Sequence, residues 1–260
     1  KIAEISPQIV QISLESHVSS IHDKIRGKEG AFKGTMEGIK YLKSQGIPIE
    51  ISTVLTKYNS DDLIEMGHFI DTLDVDHWKV GNLFKVGRAN ENEQDIGLSL
   101  EESVEALFQL DITYSEKSIK TPLKTNILWD SFNVSTPSYR TIICGGDIGL
   151  HFHIMSNGDV LPCDRLSSKY GVGNLREKSI KDLWFSENMQ RFKLTSVQDI
   201  EKCDGCNVKN LCGAGCRVIA LQETGDLYGC DPVACQIMAY YSKNSGKLKN
   251  QDFQNYEGNL

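Results

Sequence analysis

"CDGCNVKNLCGAGC", residues 203–216, places four cysteines and three glycines in fourteen positions. Such a loop has little apolar material to fold on, so its order must come from something the thiols hold. Working outward, all eight cysteines of the 260-residue chain lie between Cys144 and Cys235, and the first 143 residues have none. That shift in composition marks a boundary between two regions, expected just before Cys144. The full pattern is C-x13-G-x4-C over Cys144, Gly158 and Cys163, then C-x2-C-x5-C-x3-C over Cys203, Cys206, Cys212 and Cys216, then Cys230 and Cys235. Eight thiolates match two four-ligand sites. Zinc and iron–sulfur clusters both accept four thiolates, and ligand type alone does not separate them. A disulfide framework is a third reading, but the start "KIAEISPQIV" is not an export signal. Zinc modules favour two well-separated C-x2-C knuckles, whereas this loop gathers four thiols around one turn. The glycines let backbone N–H groups approach cluster sulfurs, and Lys202, Lys209 and Arg217 can offset negative charge. Iron–sulfur is therefore placed first.

The cysteine-free part alternates strand and helix signals. "IVQISLES" (9–16) mixes β-branched and short polar residues, as a buried strand does. Phe32, Met36, Ile39 and Leu42 then recur at helical spacing, stopped by Gly46 and Pro48. "IPIEISTVLT" and "VDHWKVGNLF" are further strands, separated by a helix carrying Leu63, Met66, Ile70 and Leu73. Ser99 with Glu102 forms a capping box for another helix through Leu110. This is the order of parallel βα units. About 140 residues are too few for a complete eightfold barrel, so a small sheet or part of a barrel is expected. After Cys144, Asn157-Gly158 suits a hairpin turn, "SIKDLWFSENMQRF" reads as one short amphipathic helix, and a last helix starts near Pro232. The stretch between these two helices reads as glycine- and cysteine-rich loop.

A net charge of −7 leaves no excess of Lys and Arg for phosphates, which argues against a nucleic-acid partner. No apolar run approaches the roughly 20 residues of a spanning helix, so no membrane partner is expected. Clustered cysteines without an export signal point to a reducing, cytoplasmic setting.

The cysteine pattern, with "SNGDVLPCD", "GNLREKSIKDLW", "CGAGCR" and "TGDLYGCDPVAC", resembles the SPASM domain, the auxiliary-cluster module of many radical SAM enzymes. "VQISLES" and the adjoining "IHDKIRGKEGAFKGTMEGIKYLKSQGIPIEISTVLTKYN" are similar to the fourth strand of a radical SAM barrel and the βα segment after it. The resemblance implies an α/β fold: later βα units of a partial (β/α)6 barrel over 1–140, a small SPASM domain of hairpin, short helices and loops over 141–245, and a polar tail over 246–260. It implies two auxiliary [4Fe–4S] clusters. Cys203, Cys206, Cys212 and Cys235 match the outer one. Cys144, Cys163 and Cys216 match the inner one, whose fourth ligand is Cys230, substrate or an open position. His151 and His153 are expected to pack in a strand.

On the barrel side, Ser13 matches a position that contacts SAM, Glu15 stands where many relatives carry Asp, and Arg26 is placed to reach the SAM carboxylate. Asp164 matches the proton acceptor of sulfatase-maturating relatives, and Gly87-Arg88 matches a family feature near the barrel's end. The family's catalytic cluster needs a C-x3-C-x2-C loop, and none is present. The chain is therefore expected to be the C-terminal part of a longer enzyme and inactive alone. In the intact enzyme the resemblance implies SAM, a third [4Fe–4S] cluster, and SAM cleavage to a 5′-deoxyadenosyl radical. It further implies a peptide or protein substrate that is crosslinked through a thioether or carbon–carbon bond, or oxidised to formylglycine. An electron donor such as flavodoxin or ferredoxin is implied too. The competing reading is a non-catalytic iron–sulfur or zinc module for docking or electron transfer.

Overall fold

The computed structural model describes residues 6–84, 96–125 and 152–244, together with Glu4 and Ala89. The chain divides into two compact units, Lys1–Ile127 and Leu128–Leu260. The expected boundary near residue 140, Cys144, His151, Gly87-Arg88 and the polar tail all lie outside the described residues.

The first unit is built on a parallel sheet of β1 (Val10–Ser13), β2 (Ile49–Leu55), β3 (His77–Asn82) and β4 (Leu123–Thr125), in that order. Helices α1 (Ser19–Arg26), α2 (Ala31–Ser44), α3 (Leu63–Leu73) and α4 (Leu100–Glu116) run between the strands. Sequential order with parallel pairing is what βα units produce, as the alternating pattern predicts. Strand register sorts the side chains. Ile12 lies opposite Ile51, and Ile51 opposite Trp78, which makes one apolar face. Ile51, Trp78, Val80, Leu107 and Phe108 are fully buried there. Gly67 in α3 lies close against both α4 and the sheet: a Cβ there would stand 2.9 Å from the Tyr114 ring and 3.1 Å from that of Trp78.

Two elements escape the periodicity. Helix α1 has only Ile21 and Ile25, one turn apart, as apolar positions, too short a run to read as a helical period, and is ended by Gly27 in the left-handed conformation. Strand β4 is three residues long, below the length at which alternation can be read. Helix α4 has the expected Ser99–Glu102 capping box but continues to Glu116, because Tyr114 near its end is anchored by its hydroxyl on the Thr121 carbonyl at 2.7 Å.

In the second unit, β5 (His153–Ile154) and β6 (Asp159–Leu161) form the expected antiparallel hairpin around Gly158, and β7 (Gly173–Asn174) adds to β6. The helix expected over "SIKDLWFSENMQRF" is instead two, α5 (Ile180–Trp184) and α6 (Glu187–Leu194). Ser186 between them is extended and its hydroxyl donates back to the Leu183 carbonyl at 2.8 Å, which breaks the run. The stretch read as loop contains α7 (Lys209–Cys212) and α8 (Arg217–Thr224), followed by α9 (Pro232–Asn244) where a helix was expected. No helix among the described residues is long and apolar enough to cross a membrane.

Candidate metal centre and sheet face

In the second unit the cysteines fall into two groups. Cys203, Cys206, Cys212, Cys230 and Cys235 face one another. The Cys203 and Cys230 thiols share a hydrogen bond, Cys230 and Cys235 have their sulfurs 3.3 Å apart, and Cys206 and Cys212 each act electrostatically on their neighbours. Cys203 and Cys230 are buried with Ala214, Val197 and Ile200. Cys216 belongs to another core, with Leu166, Phe192, Val218 and Leu227, and Cys163 packs against that core. Cys230 is thus placed with the outer group rather than beside Cys163 and Cys216.

One carboxylate holds these segments in register. Asp231 is 1% exposed and accepts from the N–H groups of Cys216 (2.9 Å), Val233 (2.8 Å) and Ala234 (3.1 Å). It therefore caps α9 and grips the residue that starts α8. The Asp-Pro pair at 231–232 is the sequence signal for such a cap, with proline at the first helical position. Burial raises the pKa of Asp231, against the opposing pull of its N–H donors and of Arg217. The buried Arg217 guanidinium donates to the carbonyls of Gly229 (3.0 Å) and Ala214 (2.7 Å), binding the same two loops from the other side. Gly215 is fixed by this closure: at φ 74°, a Cβ would lie 2.4 Å from that of Asp231.

The thiols are electrically incomplete. Burial, then the charges of Cys235, Cys230 and Asp231, push the Cys212 thiol up to about 12, and Cys235 is raised to about 12 for similar reasons. Burial also raises Cys203, Cys216 and Cys230. Bound iron or zinc stabilises thiolates in such surroundings by supplying the missing positive charge. Lys202 faces Cys230 and Arg165 faces Cys216, whereas Lys209 pairs with Asp204 at 3.7 Å. Among the described residues no three Cys, His, Asp or Glu side chains are gathered into a group that could hold a metal ion. Asp164 is exposed and lies beside Cys163 (3.6 Å) and His153 (3.8 Å).

In the first unit, Ser13 ends β1 on the face opposite Ile12. Register runs from Ser13 to Ser52, to Lys79, to Lys124, and from Gln11 to Glu50. Glu50 takes a hydrogen bond from Gln11 (2.7 Å) and an ion pair from Lys124 (3.0 Å). This face is polar where the opposite one is apolar, so it is not built for packing against helices. Glu15 lies just beyond Ser13 and is 3% exposed. Its carboxylate accepts from Val54 N (2.8 Å) and Arg26 Nη1 (3.4 Å), its carbonyl from Asn59 Nδ2 (2.7 Å), and its N–H donates to His22 Nδ1 (3.0 Å). Desolvation raises the Glu15 pKa, and the Val54 N–H and Arg26 only partly oppose it. Sequence patterns single out Glu15 and Arg26 but not His22, which with Asn59 holds the same turn.

Residues 144–207 match the SPASM family, described as an iron–sulfur cluster-binding domain. The chain is 28% identical over 244 residues to an AdoMet-dependent heme synthase of Methanosarcina barkeri, covering 87% of this chain and 67% of that protein. It is 25% identical over 228 residues to a PqqA peptide cyclase of Xanthomonas axonopodis, covering 86% and 59%. The fold matches native anSMEcpe with bound AdoMet and Cp18Cys peptide at a TM-score of 0.70 and 17% identity, covering 96% of this chain and 71% of that one. The chain is thus similar to radical SAM/SPASM enzymes over most of its length, with the SPASM iron–sulfur domain matched at residues 144–207. It spans 62% to 67% of the length of the heme synthases it matches.

Proposed function

We propose that the chain forms part of a radical SAM/SPASM enzyme that modifies a peptide or protein side chain and carries two auxiliary [4Fe–4S] clusters. The observation that carries this reading is the division of the thiols into two groups joined by Asp231. Cys203, Cys206, Cys212 and Cys235 hold the outer cluster. Cys163 and Cys216, with Cys144, hold the inner one. SAM and the clusters, when bound, supply radical initiation and electron transfer.

The chain's own residues prepare that chemistry. Ser13 and Arg26 bind SAM at the end of β1, and Glu15 holds Arg26 and the β1 turn in place. Asp164, exposed beside Cys163, takes a proton released from substrate. A flavodoxin or ferredoxin in the cytoplasm supplies electrons. The modification is a thioether or carbon–carbon crosslink, or formylglycine formation. Support for a peptide substrate comes from the peptide cyclase relative and from the peptide-bound structural neighbour.

A second reading, a step of heme synthesis, is favoured by the heme synthase matches. Anaerobic reconstitution of the full-length protein, with counts of iron and sulfide, tests the cofactor reading, which requires about eight of each. Mass spectra of peptides co-expressed with it then separate the substrates. Loss of two hydrogens from a peptide supports peptide modification. Unchanged peptides, together with a Soret shift of an added carboxylated iron porphyrin, support heme chemistry instead.

A further inference from the structure

A cluster site of the kind proposed above takes four thiolates, yet five thiols face one another in the outer group. We propose that Cys230 is a reserve ligand of this site, able to replace Cys235 as its fourth thiolate. The inference rests on the iron–sulfur reading and extends it.

Geometry supplies the reasons. Cys230 and Cys235 place their sulfurs 3.3 Å apart, so exchanging one for the other moves the bonding atom by no more than the width of a ligand position. Cys230 is 4% exposed and shares its core with Cys203, while Cys235 is exposed on the first turn of α9. The backbone between the two is pinned by the Asp231 carboxylate on Val233 and Ala234. A swap therefore needs only side-chain rotation, and no loop has to refold. Cys216, by contrast, belongs to a separate core, with Leu166, Phe192, Val218 and Leu227, so Cys230 is paired with the outer thiols. A site with one sheltered and one exposed candidate for the same position keeps its cluster when the exposed thiol is lost.

The experiment compares the wild type, Cys230→Ala, Cys235→Ala, the double variant and Cys203→Ala. Each chain is reconstituted anaerobically with ferrous iron and sulfide, then analysed for iron and sulfide per chain and by EPR after reduction. Cys230→Ser and Cys235→Ser preserve side-chain volume, and hydrogen exchange of each apo chain verifies the fold. Both single variants are expected to hold as much iron and sulfide as the wild type, with an altered EPR spectrum in Cys235→Ala. The double variant and Cys203→Ala are expected to fall to about half the wild-type content, one cluster of two. Cys235→Ala falling as far as the double variant would overturn the proposal. So would Cys230→Ala falling that far, since Cys230 would then be an obligatory ligand. A wild type that takes up no iron and sulfide would remove the iron–sulfur reading itself, an outcome distinct from either.

Discussion

Replacing Glu15 by alanine deletes a side chain that ties the end of β1 to β2 and α1. Its carboxylate satisfies the Val54 N–H at 2.8 Å and pairs with Arg26 at 3.4 Å. Leaving a buried N–H without a partner costs about 1–3 kcal/mol. The pair with Arg26 adds about 0–1 kcal/mol, since the distance is long and Arg26 is 46% exposed. Losing the buried methylene adds about 0.8 kcal/mol, and relief of the carboxylate's desolvation offsets part of the total. The net expectation is about 2–3 kcal/mol for Glu15→Ala and about 1 kcal/mol or less for Arg26→Ala. The sign with pH comes from the raised pKa: the folded state holds the Glu15 proton more tightly than the unfolded state does. The stability this contributes is complete below 4.5 and is lost as pH rises through the folded value. Glu15→Gln lacks that dependence and should gain on the wild type as pH rises beyond 4.5. Denaturant midpoints of the three variants across this range, with hydrogen exchange at the Val54 amide, measure both effects. A Val54 amide as protected in Glu15→Ala as in the wild type, or a Gln-to-wild-type gap that ignores pH, would refute the reasoning.

Gly215→Ala forces a Cβ to within 2.4 Å of the Asp231 Cβ at a left-handed φ. It should destabilise the second unit by about 1–3 kcal/mol or more and lower iron uptake, read by thermal unfolding and iron content. Trp78→Phe removes the indole hydrogen bond to Thr53 Oγ1 at 2.9 Å and leaves space in the sheet's apolar face, costing about 1–3 kcal/mol in a urea titration. Reconstitution with iron and sulfide should slow hydrogen exchange over residues 203–235 and leave β1, β2 and β3 unchanged, because metal binding and folding are linked only where the ligands lie.

Legibility in the sequence tracks the physics of each element. Strands β1 and β2 are readable because β-branched residues fill one or both faces, β3 because Trp78 and Val80 alternate with polar residues, and α9 because Asp231-Pro232 announces a start. Helix α8 is not, since its cysteine- and glycine-rich approach resembles loop until Arg217 is seen buried against the carbonyls of Ala214 and Gly229. The cysteines are readable as candidates, but their grouping is not: spacing along the chain does not say that Cys230 lies against Cys235 and Cys203. His22 is equally hidden, because its partner is the Glu15 N–H on a turn that forms only when β1 and β2 pair.

Asp231 also bears on how the second unit acquires order. Fixing a residue costs about 1–2 kcal/mol of conformational entropy, and the loop ending at Cys216 and the one spanning Cys230 to Cys235 would each meet that cost alone. A single carboxylate bonded to the Cys216, Val233 and Ala234 amides makes them one ordering event. Whichever loop is immobilised first shortens the search of the other, so the order of the two loops is coupled.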